Sequence, residues 1–327
     1  MAGLVLARGL AHRGVAPTIV ERMPPDVVIE GPIMLPFQAY DALEEIGLLD
    51  EIRSSGRDVP PVRNGQPVAI GVSRQLVLER LRDGLEILWE HEVVDLLWAD
   101  DRVVGVKVRS SAGERELPAD IVVGADGTHS GVREMARIEA ELTLSDTAFI
   151  GFRSPVRSDE AFLINFTADG RQATLLDWPG GSAGGWQIDR PEGGEKAALA
   201  PGVEAFKSAY LRLLPGAAAV VEPVTELRYR EVTEVHCEMW SRPGVTLVGE
   251  ALHAMNPEAG IGSGLGMGDA QALAVAIGQN RDDSDAALAD YERWRRPAVA
   301  PYMAVGSQGV RVVRGGEIPP GERWPPG

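Results

Sequence analysis

The residues best placed to do chemistry lie in one stretch, Val245 to Gln271, with the sequence VTLVGEALHAMNPEAGIGSGLGMGDAQ. VTLVG is a short apolar run rich in β-branched residues and reads as a buried strand. It stops at Gly249, and glycines recur at 260, 262, 264, 266 and 268 before Asp269 opens a run whose alanine and leucine content is helical. Such a strand, glycine-rich loop and helix turn free backbone N–H groups and the positive end of a helix dipole towards whatever lies against them, which favours negative charge. A tight turn needs one or two glycines. Five alternating ones point to a ligand approaching the backbone closely.

Two more stretches have the same character. In Ala119 to Arg133 a buried strand, Ile121–Val123, runs into the turn Gly124-Ala125-Asp126-Gly127 and then a helix start. Near the N-terminus, a helix over Gly3–His12 is followed by Gly14 as its C-cap and by a short strand, Pro17–Glu21, that ends in an acid. Helix, glycine, strand and terminal acid make the second half of a dinucleotide-binding βαβ unit, in which the acid, Glu21, accepts hydrogen bonds from a ribose. A G-x-G-x-x-G fingerprint whose last glycine is Gly3 would begin before residue 1. The chain is therefore expected to be a fragment or to have a misassigned start; the alternative is a natural variant without the phosphate loop.

These segments together resemble the class A FAD-dependent monooxygenases, the para-hydroxybenzoate hydroxylase-like family. Gly249, Ala251, His253, Pro257, Gly260, Gly262, Gly266, Asp269 and Ala270 stand in register with that family's second flavin motif. Glu250 replaces its Asp, Ile261 its Gln and Gly264 its Asn. Gly124 to Arg133 is similar to its GADGxxSxVR motif almost letter for letter, and Gly3 to the tail of its GxGxAGL. Arg74, with Val77, Arg80 and Leu81, is loosely similar to a family helix whose first arginine reaches the cofactor. The resemblance implies an α/β fold, a Rossmann-like FAD-binding domain whose first strand is absent, with an inserted antiparallel β-sheet substrate lobe. It assigns residues 1–146 and 236–300 to the FAD-binding domain, 147–235 to the lobe and 301–327 to an irregular tail. It implies that Gly249, Glu250, Pro257, Gly260 and Gly262 hold the isoalloxazine and ribityl chain. Asp126 and Gly127 would support FAD from the other side, Glu21 would take the adenosine ribose, and Gly3 and Arg74 would add contacts. NAD(P)H would reduce the flavin, and dioxygen would supply one oxygen atom to a small, aromatic substrate. The same motifs also serve flavin reductases and dehydrogenases, and a flavin-free relative would use the lobe for binding or non-redox catalysis.

Composition sets the remaining bounds. A chain of 327 residues can bury a large core and is long enough for two lobes. Its net charge of −16 argues against nucleic acid or an anionic membrane surface as the main partner. One cysteine, Cys237, leaves no internal disulfide and fits a reducing compartment, so the cytoplasm is the expected address. No apolar run reaches the roughly 18–20 residues that span a bilayer. The five histidines show no metal-ligand spacing, no G-x-S-x-G elbow is present, and nothing singles out a catalytic acid or base. Between the motifs, helices are expected at Phe37–Leu49 and after Ser73, a meander at Ile87–Glu116, and strand-like runs from Thr147 to Asp189. Phe152, Phe162, Phe166, Trp178 and Trp186 are candidates to line a pocket for an aromatic ring. From Pro297 onward the chain should be irregular.

Overall fold

The computed structural model describes residues 1–63, 65–167, 171–257 and 260–313. In chain order the first elements are α1 (Ala2–His12), β1 (Ile19–Val20), β2 (Pro32–Pro36), α2 (Tyr40–Glu45), α3 (Leu49–Ser54), β3 (Arg57–Arg63), β4 (Gln66–Ser73), α4 (Arg74–Arg82) and β5 (Ile87–Leu88). There follow β6 (Glu92–Ala99), β7 (Arg102–Ser110), β8 (Gly113–Pro118), β9 (Val122–Gly124), α5 (Gly131–Met135) and β10 (Glu141–Ser154). Next come β11 (Phe162–Phe166), β12 (Gln172–Trp178), β13 (Gly181–Asp189), α6 (Gly194–Leu199), α7 (Val203–Leu213), α8 (Ala218–Val221) and β14 (Arg228–His236). The last are β15 (Ser241–Arg242), β16 (Val245–Leu247), α9 (Glu250–His253), α10 (Gly262–Gln279) and α11 (Ser284–Val313).

Two cores organise these elements. The larger joins α1, α2, β4, β7, β16, α10 and α11 through residues such as Leu10, Leu43, Ile70, Val108, Leu247 and Leu273. The smaller lies between α7, α8 and one face of the antiparallel sheet β11-β12-β13-β10-β14, around Phe152, Leu175, Phe206 and Tyr210. Phe152 meets Tyr210 edge-on with ring centroids 5.2 Å apart, and the Tyr210 hydroxyl donates to the Thr174 carbonyl. The two parts are tied by Asp177, a fully buried carboxylate that accepts from Arg57 of β3 at 2.5 Å and from Arg157 at 2.6 Å.

Several expectations hold. Gly14 closes α1, with Gly14 N–H donating to Ala11 and Val15 N–H to Leu10. Ser73 caps α4, its hydroxyl accepting from Leu76 N–H. Strands β6, β7 and β8 form the antiparallel meander. The sheet of the second part starts at Glu141, before the expected residue 147.

Others are corrected. A Rossmann-like sheet would hold the strands at Thr18–Glu21, Ile121–Val123 and Val245–Val248 together. Instead β9 pairs in parallel with β16, while β1 pairs only with β5, in a separate two-stranded sheet. The edges of β1 and β9 away from these partners have no strand beside them among the described residues, which leaves a break where a Rossmann-like sheet is continuous. The helix expected over Phe37–Leu49 is split, because Gly47 takes φ +72 and ends it before α3. The chain after Pro297 is not irregular: α11 continues through Pro297 and Pro301 to Val313. Each proline removes an intrahelical bond, but tertiary contacts on the preceding turns hold the helix down, with Tyr291 donating to the Leu247 carbonyl and Val299 buried. The remainder of the expected tail, 314–327, lies outside the described residues.

Helices α1 and α10 cross closely because both offer small residues. A Cβ added at Gly9 would stand 2.9 Å from the Ala274 Cβ, which cannot swing aside. Gly9→Ala should therefore destabilise by about 1–3 kcal/mol despite alanine's better helix propensity. In urea unfolding, the pair Gly9→Ala with Ala274→Gly should be more stable than the sum of the single changes by about 1 kcal/mol. Strict additivity would show that the crossing is not tight.

Candidate functional site

The site is built around a buried carboxylate. Asp269, on α10 and fully buried, accepts from the Gly249 N–H at 3.0 Å, from His253 Nε2 at 2.6 Å and from Arg295 Nε at 2.7 Å. Arg295 also donates to the Leu265 carbonyl, so α11 grips the first turn of α10. Gly249 follows β16 with φ +62 and ψ −137, a conformation closed to residues with a Cβ, and turns the chain into the single turn of α9. This leaves Glu250 exposed at the first position of α9. Burial opposes charge on Asp269, but His253 and Arg295 outweigh it and hold its carboxyl below the usual range. Burial likewise pushes His253 down, and the Asp269 charge more than reverses this, so its pKa is raised.

The glycine run differs from its sequence reading. The helix begins at Gly262, not at Asp269, so four of the glycines lie within its first two turns. Their bareness is used by the protein itself. A Cβ at Gly264 would lie 2.7 Å from Pro36 Cγ, one at Gly266 would lie 3.2 Å from Gly249 Cα, and one at Gly268 would meet the Arg295 guanidinium at 2.6 Å. Small residues therefore let α10 approach β2, the Gly249 turn and α11 at once.

Five of the residues singled out from sequence converge on the start of α1. A Cβ at Gly249 would be 3.4 Å from that of Ala2, and one at Gly3 would be 3.1 Å from that of Ala125, next to Asp126. The Met1 amino group has its pKa lowered by burial, opposed by the charges of Glu250 and Glu21 and assisted by Arg74. Glu21, Arg74 and Glu250, from three separate segments, thus lie near enough to the first residue for their charges to act on its amino group. Arg74 opens α4 with its N–H donating to the Gly31 carbonyl. Its Nε is buried without a hydrogen-bond partner. Burial lowers its pKa, Arg230 and Arg153 add to that, and Glu250 opposes it. Glu21 sits one residue beyond β1, its carboxylate accepting from Met23 N–H at 2.9 Å.

The other predicted residues stand apart from this spot. Both carboxylate oxygens of Asp126 are engaged in its own turn, one by the Ser130 hydroxyl and the other by Val132 N–H. Arg133, buried, donates to the carbonyls of Thr128 and Ala251, and so fastens this turn to α9. Gly127 takes φ +85 and faces open space. Gly260 packs against Met34 of β2, Gly262 stands near Met255, and Pro257 is exposed. Sequence reasoning missed Gln38, whose two side-chain polar atoms are buried without partners and whose Cβ lies beside the place a Cβ at Gly264 would take. Nothing local marks Gln38; only the packing of β2 against α10 does. Two of the aromatic candidates are also reassigned, since Phe152 and Trp186 pack into the smaller core under α7. Among the described residues no cluster of His, Cys, Asp and Glu is arranged to hold a metal ion.

The Asp269 cluster sets a pH dependence. A depressed carboxylate stabilises the fold above its unfolded pKa, about 3.9, and that stability is lost as pH falls through the folded value. A raised histidine stabilises below its unfolded pKa, about 6.5, and that stability is lost as pH rises through the folded value. Both are fully present between about pH 4 and pH 6.5. The Tm should therefore fall from pH 6 to pH 9 more steeply in the native chain than in His253→Gln; parallel profiles would refute the assignment. Asp269→Asn, which strands Arg295 without its counter-charge, should cost about 3–5 kcal/mol in urea unfolding.

Comparison with known proteins places this architecture. The family model described as FAD binding domain matches residues 70–304. Zeaxanthin epoxidase of the chloroplast from Oryza sativa subsp. japonica is 28% identical over 305 residues, which cover 80% of this chain and 45% of that protein. The chain thus spans less than half the length of this curated relative. Among solved structures, PqsL of Pseudomonas aeruginosa, described as a probable FAD-dependent monooxygenase, is 22% identical with a TM-score of 0.78, covering 96% of this chain and 94% of its own. The tetrameric form of 2-methyl-3-hydroxypyridine-5-carboxylic acid oxygenase is 22% identical with a TM-score of 0.76, covering 97% of this chain and 91% of its own. These structures share the fold. With the family model covering well over half of its length, from β4 through both motif turns into α11, the chain belongs to the FAD binding domain family.

Proposed function

We propose that this protein is an FAD-dependent monooxygenase that uses NAD(P)H and dioxygen to hydroxylate a small aromatic substrate. The observation that supports it best is the buried Nε of Arg74, which has no hydrogen-bond partner, near enough to Glu250 beside the Gly249 turn for the two charges to interact. The residues present fit the riboflavin half of FAD. Arg74 offers a buried donor that no protein atom takes up, and Gln38 offers an unpartnered amide. When bound, FAD supplies the redox chemistry that couples a nicotinamide donor to oxygen transfer.

In this reading the chain's own residues bind and orient. The α10 N-terminus and Gln38 face the flavin's polar edge, where negative charge is favoured. Glu250 takes a ribityl hydroxyl, Arg74 contributes charge beside it, and Glu21 takes the adenosine ribose. Gly127, Pro257, Gly260 and Gly262 shape the approach, and Asp126 acts by holding its turn. The parts 1–146 and 236–300 form the flavin domain, and the sheet with its helices, about 147–235, forms the substrate lobe. No described helix is long and apolar enough to cross a membrane. With buried Cys237 unpaired, the cytoplasm is the proposed location.

FAD titration followed by flavin fluorescence, with NAD(P)H-dependent oxygen uptake, tests this reading. Arg74→Gln should weaken FAD binding by about 1.5–3 kcal/mol, the range for a hydrogen bond to a charged group. Glu250→Asp, which shortens the side chain by one methylene and restores the residue usual in the motif, should tighten it by up to about the same amount. A chain that binds FAD equally well with Arg74→Gln, or takes up no oxygen with either nicotinamide when FAD-loaded, would overturn the proposal.

A further inference from the structure

Strand β10 runs from one core of the molecule to the other. Its first part, Glu141 to Leu144, pairs with Thr233 to His236 of β14, where Val235 belongs to the larger core. Its last part carries Ile150 and Phe152 into the smaller one. Between them the register slips. Leu144 pairs with Thr233 and Ala148 with Glu231, so Ser145, Asp146 and Thr147 together face Val232 alone. Such a bulge bends a strand and re-aims side chains. Thr147, at the end of the bulge, is completely buried.

The Thr147 hydroxyl has one proton to give and two lone pairs to fill. Gln187 of β13 donates to it through Nε2 and Asn256 through Nδ2, each at 3.3 Å. With both lone pairs taken, the proton goes to the Ser145 hydroxyl oxygen at 3.0 Å. That oxygen also accepts from the Thr147 N–H at 3.3 Å. Gln187 and Asn256 are each 1% exposed, so the N–H that each aims at Thr147 has no water to turn to if the hydroxyl is lost. Ser145 and Gln187 belong to the sheet itself. Asn256 does not, and a hydroxyl that served only the sheet would have no use for it.

Asn256 lies in the segment between α9 and α10. That segment is also bonded to β14, the Ala254 carbonyl accepting from the Val235 N–H at 2.8 Å. Ala254 and Asn256 are thus pinned to two neighbouring strands of one sheet, β14 and β10. Pro257 follows at once and is exposed. The Gly260 N–H donates to the Pro257 carbonyl at 2.9 Å, and α10 begins at Gly262. Asn256 therefore sets where the turn between Pro257 and Gly260 starts. The α9 side is fixed separately, through His253 and Asp269.

We propose that Thr147 is a positioning residue: its buried hydroxyl docks Asn256 and so fixes the turn at Pro257 and Gly260 relative to the five-stranded sheet. That this turn shapes a flavin site rests on the monooxygenase reading; the tether itself does not.

Single variants of the full chain test this, each followed by hydrogen exchange of the 253–262 backbone, urea unfolding and FAD titration. Thr147→Val has the same shape without the hydroxyl, and Asn256→Leu removes the tethered amide. Each should speed exchange in 253–262 roughly tenfold and weaken FAD binding by a similar factor, as for one lost buried hydrogen bond. Thr147→Ser, which keeps the oxygen, should stay at native values in both. Gln187→Leu removes an equally buried donor to the same oxygen, but from the sheet side. It should lower the urea midpoint and leave exchange in 253–262 and FAD affinity unchanged. A role in core packing alone would make Gln187→Leu and Asn256→Leu alike in all three measurements. That result, or native exchange in Thr147→Val, would overturn the proposal. Native FAD affinity in Thr147→Val would also overturn it and leave the monooxygenase reading intact. A segment loosened by Thr147→Val in a chain that binds no FAD would keep the tether and sink the monooxygenase reading.

Discussion

Everything near the candidate site depends on one buried carboxylate. Asp269 has no access to solvent, so its charge survives only because three donors from two segments satisfy it: the Gly249 N–H and the His253 imidazole at the two ends of α9, and the Arg295 guanidinium of α11. Each donor fixes something different. The Gly249 bond holds the end of β16 in a backbone conformation that only glycine takes. The His253 bond closes the turn of α9, and the Arg295 bond seats α11 on α10. Without the shared acceptor these elements would have no common reference point, and Glu250 would not be carried to the start of α1.

A second constraint is space. α10 packs against β2, the Gly249 turn and α11 through glycines 264, 266 and 268, and against α1 through Ala274 opposite Gly9. Glycine in a helix costs roughly 0.5–1 kcal/mol relative to alanine, and burial of the neighbouring surfaces offsets that cost here.

What the sequence made legible was local. The turn from Gly124 to Arg133 could be read because Asp126, Ser130 and Arg133 complete their hydrogen bonds within a few residues or to a neighbouring motif. That β9 and β16 share a sheet followed from two motifs, far apart in sequence, that resemble parts of one ligand site. The separation of β1 from that sheet was not legible, because strand partners are set by contacts far along the chain. Nor was the facing of Phe152 and Trp186, since a period of two gives a pair of faces but not which one helices will cover.

The glycines of α10 also bear on how the chain acquires its structure. A segment with glycines at 262, 264, 266 and 268 has little tendency to nucleate a helix alone, so its first two turns form only once β2, the Gly249 turn and α11 are in place to receive them. The N-terminal end of α10 thus depends on its neighbours for its helical form. Late-forming segments are also the first to open in the native state. Amide protons of residues 262–268 should exchange with solvent faster than those of 270–279 in the same helix, and any ligand that docks against them would slow that exchange. The part of the helix nearest the candidate site is thus both the least self-sufficient and the most responsive to occupancy.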